Sequence, residues 1–213
     1  MVMEEVNVSI VIPAYNEENR LEPKLSQSIN FLTANLHQSF EIIFVNDGSL
    51  DKTLEILTKI KEIYNKLNIK IIGYDKNQGK GYAVKMGVLE SQGKKIIVSD
   101  ADFSVDLTEL TVFLKNLEEF DIVIGSKKHL QTDTLKHQKI PRRLLGLGFT
   151  WLSNLVLGLN FTDITCGFRG FQSSVAKDLF SKQLIKRWSY DAEVLYLARM
   201  KKYRTLELPV KWY

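Results

Sequence analysis

Two carboxylates stand one residue apart in Ser99-Asp100-Ala101-Asp102, directly after the apolar run that starts at Lys95. Side chains this close repel unless a positive group lies between them. A divalent cation meets that need, because Mg²⁺ takes carboxylate oxygens at about 2.0–2.1 Å and keeps positions open for substrate phosphates. The competing use of the same residues is to cap the helix expected from Leu107. Asp47, in Val45-Asn46-Asp47-Gly48-Ser49, can accept hydrogen bonds from a nucleobase or ribose, or close an Asx-turn on nearby backbone. Glu17, after Pro13-Ala14-Tyr15-Asn16, suits a ribose hydroxyl or the N-terminus of a helix. Asn77-Gln78-Gly79-Lys80-Gly81 is a glycine-bearing turn that opens a helix, where backbone N–H groups and Lys80 can meet a phosphate. It has neither the P-loop spacing nor the G-x-G-x-x-G spacing, which weighs against an NTPase and a dinucleotide dehydrogenase. His37, His129 and His137 are scattered and Cys166 stands alone, so neither a zinc site nor an internal disulfide is expected. A lone cysteine is compatible with a reducing compartment. No G-x-S-x-G nucleophile elbow is present.

Alternating elements must position these groups. Short apolar strands are expected at 8–12, 40–45, 69–73, 95–99 and 121–125. Helices are expected between them. The first carries Leu21, Leu25, Ile29 and Leu32 on one face; the others run from Ser49 or Asp51 to Tyr64, over 79–91 and over 107–117. Such alternation means βαβ units and a largely parallel sheet. In that architecture ligands bind where strands end. The Pro13–Glu17, Asp47 and Asp100–Asp102 clusters all follow strands. After Gly125 the alternation breaks down. A basic loop-like stretch covers 127–143, a helix covers 144–161, another covers about 191–201, and a last strand covers 206–212. No Pro/Gly-rich linker separates the two parts, so a single domain over 1–213 is expected, with a first half 1–126 and a second half 127–213.

Of the 213 residues, 45% are hydrophobic and 25% are charged, ordinary values for a globular domain that exclude a disordered or collagen-like chain. The net charge of +4 is unevenly spread. Residues 1–126 hold 13 Lys/Arg against 19 Asp/Glu, and residues 127–213 hold 16 against 6. The second half is therefore suited to an anionic partner. A nucleic acid is disfavoured, because aromatics are not interleaved with the basic run. Leu144–Phe161 is 18 residues without a charge, after Arg142 and Arg143. Its glycines and polar residues point to a helix lying in a membrane interface; a membrane span and an ordinary buried helix are the alternatives. Met1–Asn7 does not have the pattern of a signal peptide.

Taken in order, these segments resemble the family 2 inverting glycosyltransferases of the GT-A fold. The match runs from Val8-Ser9-Ile10-Val11-Ile12-Pro13-Ala14-Tyr15-Asn16-Glu17-Glu18 through Val45–Ser49, Asn77–Gly81 and Ser99–Asp102. Asp163-Ile164-Thr165-Cys166-Gly167-Phe168-Arg169-Gly170-Phe171 and Arg187–Tyr196 resemble the dolichyl-phosphate β-glucosyltransferases, with the mannose synthases as near relatives. The resemblance implies a Rossmann-like nucleotide-binding half, a mostly parallel central sheet flanked by helices, and a C-terminal acceptor-binding half. It also implies a nucleotide-sugar donor (UDP-glucose first, GDP-mannose next) and a polyprenyl-phosphate acceptor. By position, Pro13, Tyr15, Glu17, Asp47, Lys80 and Asp100-Ala101-Asp102 face the donor, with Asp100 and Asp102 holding Mg²⁺ or Mn²⁺. Lys127, Arg142, Arg143 and Arg169 fall with the acceptor phosphate. Asp163 and Asp191 are candidates to orient the sugar or act as base, or else to cap a helix or join a salt bridge. Ser104 replaces a stronger metal ligand of the mannose synthases, and relatives carry a basic G-x-S-K segment beyond the position of Tyr213 and often an N-terminal anchor.

The implied chemistry is transfer of a hexose to a lipid phosphate with inversion, by a protein resting on the cytoplasmic face of a membrane. A family 2 transferase acting on a sugar hydroxyl, and a non-catalytic nucleotide-sugar-binding protein, are the other readings. The first would need a clear general base; the second would bind without turnover.

Overall fold

The computed structural model describes residues 5–128 and 140–212. The chain lays down β1 (Val8–Ala14), α1 (Glu18–Asn35), β2 (Phe40–Asn46), α2 (Thr53–Ile63), β3 (Asn68–Gly73), α3 (Lys80–Glu90), β4 (Lys95–Val98), α4 (Glu109–Asn116) and β5 (Ile122–Ser126). It continues with α5 (Ile140–Leu157), β6 (Arg169–Gln172), α6 (Ser173–Lys182), α7 (Tyr190–Met200) and β7 (Thr205–Pro209). The strands form one sheet in the order β3-β2-β1-β4-β6-β5-β7. All pairings are parallel except those of β6, which runs antiparallel to both β4 and β5. This is the mixed α/β architecture expected of the GT-A fold.

Every residue of β1 is buried, because helices cover both faces of the sheet. Alternate residues point to opposite layers. Ile10, Ile12, Ile42 and Phe44 pack with Leu21, Leu25, Ile29 and Leu32 of α1 on one face. Val11, Ile43 and Val45 pack with Ala83, Val84 and Val88 of α3, and with α6 and α7, on the other. The α1 stripe is therefore a core stripe, as its spacing predicts. Pro13 lies in the middle of the sheet, past Val11, the last residue of β1 that β4 pairs. There the strand has a neighbour on one side only, where a missing N–H does least harm.

Two elements of the second half do not follow from the sequence reading. No strand or helix is expected between residues 161 and 191, yet Arg169 begins the four-residue strand β6 and α6 follows at once. A strand this short, with Gly170 inside it, carries almost no periodic signal. The last strand also ends at Pro209 rather than at Trp212, which makes an isolated antiparallel bridge to Val105 instead. Because β6 is antiparallel, its first residue stands at the edge where the parallel strands end: Arg169 is in register with Val98 and Ile124. No helix among the described residues is long and apolar enough to cross a membrane.

Candidate active site

The loops leaving β1, β2, β4 and β5 gather at the carboxyl edge of the sheet, where open α/β sheets bind ligands. The first two are laced together. Asn16, in the left-handed region at φ 52°, accepts the Leu50 N–H through Oδ1 at 2.8 Å, and the Thr53 hydroxyl accepts the Glu17 N–H at 2.8 Å. Tyr15 projects from this loop and is exposed. Asp47 is buried and reaches across to the turn before α3. Its Oδ1 accepts the Gln78 N–H at 2.8 Å, and its Oδ2 accepts the Gly79 N–H at 2.9 Å and Asn77 Nδ2 at 2.8 Å. The end of β2 thereby sets the start of α3.

That placement delivers Lys80 to the centre of the edge. Its ammonium donates to Asp100 Oδ1 at 2.5 Å. Asp100 in turn lies against Gly167, where an added Cβ would sit 2.2 Å from Oδ2, so this position has room only for glycine. Burial alone would raise the Asp100 carboxyl, but Lys80, Lys127 and Arg169 outweigh it and hold the group below the ordinary carboxylate range. Burial would likewise lower Lys80, yet Asp100, Tyr190 and Asp191 keep its ammonium well above the usual range. Asp102 accepts the Ser104 N–H through Oδ1 at 3.1 Å, and its carbonyl accepts Lys24 Nζ at 2.9 Å. Phe103 closes this turn at φ 46°, a left-handed conformation that a bulky residue holds only under restraint. Glu17 completes the acidic rim. Burial raises its carboxyl, Arg20 opposes, and Asp102 and Asp100 push it further up.

Beneath this rim is a buried layer. Arg169 is 2% exposed. Its Nε donates to the Cys166 carbonyl at 3.0 Å and its Nη2 to the Ile164 carbonyl at 2.5 Å, and Nη2 lies 2.8 Å from Asp191 Oδ1. Burial raises the Asp191 carboxyl, and Arg169 and Lys80 offset this only in part. Asp163 is also buried. It accepts the Thr165 N–H at 3.0 Å, the Thr165 hydroxyl at 2.8 Å and the Lys127 N–H at 3.2 Å, with Lys128 Nζ at 3.4 Å. Lys127 itself lies 5.6 Å from the centroid of the Trp212 ring.

The fold thus brings Lys80, Asp100, Lys127, Arg169 and Asp191 into one cluster, with Glu17 and Asp102 at its rim. Pro13 and Ala101 are buried framework beside it. Asp47 and Asp163 hold loops in place with their carboxylates. Arg142 and Arg143 belong to the first turn of α5, and their side chains lie outside the described residues, as do His129 and His137. Gly167 and Tyr190 stand inside the quoted segments with no role assigned to them, and Lys128 is not singled out by the sequence reading. Lys128 Nζ donates to the Gly146 carbonyl at 3.0 Å and the Thr150 hydroxyl at 3.2 Å, fixing α5 to the end of β5. The excess of cations after residue 126 was the available signal for it.

Asp100 and Asp102 are the residues that could hold a divalent cation. Among the described residues no three His, Cys, Asp or Glu side chains converge as a metal cluster. Two carboxylate arms, with a third carboxyl repelled by both, fit an ion of the Mg²⁺ or Mn²⁺ kind that draws its other ligands from water and substrate phosphates.

The pattern of glycosyl transferase family 2 matches residues 9–180. A dolichyl-phosphate beta-glucosyltransferase of Trichomonas vaginalis is 35% identical over 98% of this chain and 64% of its own length. The Homo sapiens and Drosophila melanogaster proteins of that name are 32% and 34% identical, over 96% and 97% of this chain and 67% of their own lengths. The chain therefore spans about two thirds of the length of these curated relatives (64–67%). Among solved structures, glucosyl-3-phosphoglycerate synthase of Mycobacterium tuberculosis with phosphoglyceric acid superposes at a TM-score of 0.69, with 17% identity over 97% of this chain and 71% of that one. A mannosyltransferase of Pyrobaculum calidifontis with GDP-Man and Mn²⁺ superposes at 0.63, with 16% identity over 97% of this chain and 56% of that one. Both share the fold.

Proposed function

The chain belongs to glycosyl transferase family 2, and from that premise we propose that it moves glucose from UDP-glucose to the phosphate of a dolichyl-type lipid, with inversion and with a divalent cation bound. The names of the relatives that match nearly the whole chain support this reading. The observation that carries it is the Lys80–Asp100 pair at the carboxyl edge, with Asp102 on one side and Lys127 near enough to lower Asp100 on the other. A cluster of both signs at that edge suits an anionic donor and an anionic acceptor together.

The acceptor is a phosphate monoester, whose second pKa is about 6, so near neutral pH it is mostly a dianion and already nucleophilic. Little is then asked of a general base, in keeping with the internal partners of Asp163 and Asp191. An acceptor phosphate oxygen forms the bond to the anomeric carbon, and the bond to the donor's diphosphate breaks on the opposite face, its electron pair leaving with UDP. A cation held by Asp100 and Asp102 would supply charge neutralisation of that diphosphate. The chain's own residues orient and screen: Lys80 stands beside the leaving group, and Lys127 eases the approach of one anion to another. Glu17 and Asp47 set the loops on which the nucleoside rests. Residues 1–126 act as the donor half and 127–213 as the acceptor half. Trp151, Leu152, Leu155 and Val156 on α5 are exposed and would rest on a membrane surface, where the lipid tail of the acceptor remains.

The test is transfer of labelled glucose to dolichyl phosphate, run beside GDP-mannose as donor and free sugars as acceptors. The expected outcome is lipid-linked glucose from UDP-glucose, abolished by a chelator and reduced about 10²–10³-fold in kcat by Asp102→Asn. Transfer to sugar hydroxyls instead, or turnover that survives chelation, overturns the reading. Nucleotide binding without any turnover would point to a binding protein.

A further inference from the structure

The connection between α6 and α7, residues 183–189, is bolted down along most of its length and exposes one large side chain beside the Lys80–Asp100 pair. The Glu193 carboxylate, in the first turn of α7, accepts the Leu184 N–H at 2.9 Å and the Ile185 N–H at 2.8 Å. The Lys186 carbonyl accepts the Tyr82 N–H at 2.9 Å, and Lys186 Nζ donates to Gln78 Oε1 at 3.2 Å. Gly79, at φ +104°, lets the segment come this close: a Cβ there would sit 2.6 Å from Arg187 Cγ and 2.7 Å from the Lys186 oxygen. The same glycine is clamped by Asp47. The segment is therefore fixed to the start of α3, the helix that carries Lys80.

From this rigid segment Trp188 projects with 74% of its surface exposed. Lys80 Nζ lies 5.9 Å from the centroid of its ring and 2.5 Å from Asp100 Oδ1. Indole face, ammonium and carboxylate follow one another within a few ångströms. Two residues on, Tyr190 is buried and supplies the packing of this corner, so the fold does not depend on the indole.

We propose that Trp188 is the platform on which the donor's hexose ring rests, which makes it a specificity-determining residue of the site. The proposal builds on the functional reading above. A hexopyranose presents an apolar C–H face and a rim of hydroxyls. A flat, exposed aromatic side chain matches the first, and it is also held at low entropic cost, since it has only two rotatable bonds. The ammonium and carboxylate beside it match the second. A lipid chain would have no use for that charged pair next to the ring. Trp188 and Leu184 of the same connection are both exposed, so an interfacial anchor is the alternative that the experiment separates.

The experiment measures UDP-glucose and UDP affinities by calorimetry, and vesicle co-flotation, for the wild-type chain, Trp188→Phe and Trp188→Ala. Loss of an aromatic contact should weaken UDP-glucose roughly five- to tenfold in the alanine variant and less in the phenylalanine variant. Affinity for UDP and vesicle binding should both stay unchanged, and KM for the donor should rise more than kcat falls. Equal weakening of UDP and UDP-glucose means a merely structural role and overturns the proposal. Unchanged donor affinity with lost flotation overturns it in favour of a lipid anchor, and unchanged values throughout overturn it outright. A wild-type chain that binds no UDP-glucose brings down the functional reading and this one with it, an outcome distinct from the others.

Discussion

Asp100, half-buried, and Asp191, buried, belong to the same charge cluster, yet they are displaced in opposite directions. Burial opposes ionisation of both. Asp100 has Lys80 at 2.5 Å, with Lys127 and Arg169 adding to it, and is held low. Asp191 shares Arg169 with two backbone carbonyls, feels Asp100 as a like charge, and is pushed up. The Arg169–Asp191 pair is a buried ion pair whose members depend on each other more than the fold depends on the pair. Arg169→Met or Asp191→Leu alone should lower unfolding free energy by about 3–5 kcal/mol, because each strands a buried charge. The double variant should cost less than the sum, by about 0.5–3 kcal/mol of coupling. Urea denaturation of the four proteins decides it, and strict additivity would show that the two residues do not act as a pair. The sequence reading placed Arg169 with the acceptor-phosphate residues through the D-x-T-x-G-F-R pattern. A pattern names the residue but does not show that the strand it begins runs into the sheet and buries the guanidinium.

Between elements, the tie that answers most directly to pH lies away from the carboxyl edge. Glu41, buried in β2, accepts the Ser9 hydroxyl of β1 and the Gln92 N–H at 2.6 Å each, and Lys70 Nζ of β3 lies 2.8 Å away. One carboxylate thus links three strands and the connection entering β4. Burial alone would raise its carboxyl, but Lys70, Ser9 and the Gln92 N–H together hold it below the ordinary range. The folded pKa is depressed, so the stabilisation is complete above the unfolded value of about 4.3. It drains away as pH falls through the folded value. Glu41→Gln should cost about 1–3 kcal/mol at pH 7 and make stability depend less on pH between 7 and 3. Denaturation midpoints at the two pH values measure this; a variant with the wild-type acid slope would contradict it. The strand that holds Glu41 was legible as an apolar run. The network was not, because its partners are 29 to 51 residues away in sequence.

For the whole molecule, the charge asymmetry between residues 1–126 and 127–213 goes with a difference in what each part contributes to the fold. The first half supplies β1–β5 and the loops at the carboxyl edge that carry Glu17, Asp47, Asp100 and Asp102. The second adds β6, the cationic groups and α5, whose outward residues include Trp151 and Leu155 at 67% and 65% exposure. With Lys128 holding the helix to the end of β5, that face is presented rather than free to fold away. Wild-type protein should float with vesicles containing anionic lipid. Trp151→Asp with Leu155→Asp should reduce the bound fraction at least tenfold, with UDP affinity unchanged, since both changes are substitutions of exposed side chains on α5. Flotation unaffected by the substitutions, or absent in the wild type, would remove α5 as a docking face.

The order of residues along the chain was enough for the alternation of strands and helices through residue 126, the core stripe of α1, and the gathering of Glu17, Asp47, Asp100 and Asp102 at one edge. Those features rest on short-range periodicity and on the rule that successive parallel strands end on the same side. The folded arrangement was needed to learn that β6 enters antiparallel, that Arg169 is buried with Asp191, that Gly167 makes room for Asp100, and that Trp188 stands outside beside Lys80. Each of these depends on which distant segments meet when the two faces of the sheet are covered. That outcome is set by packing and charge pairing over long sequence separations, which local spacing does not encode.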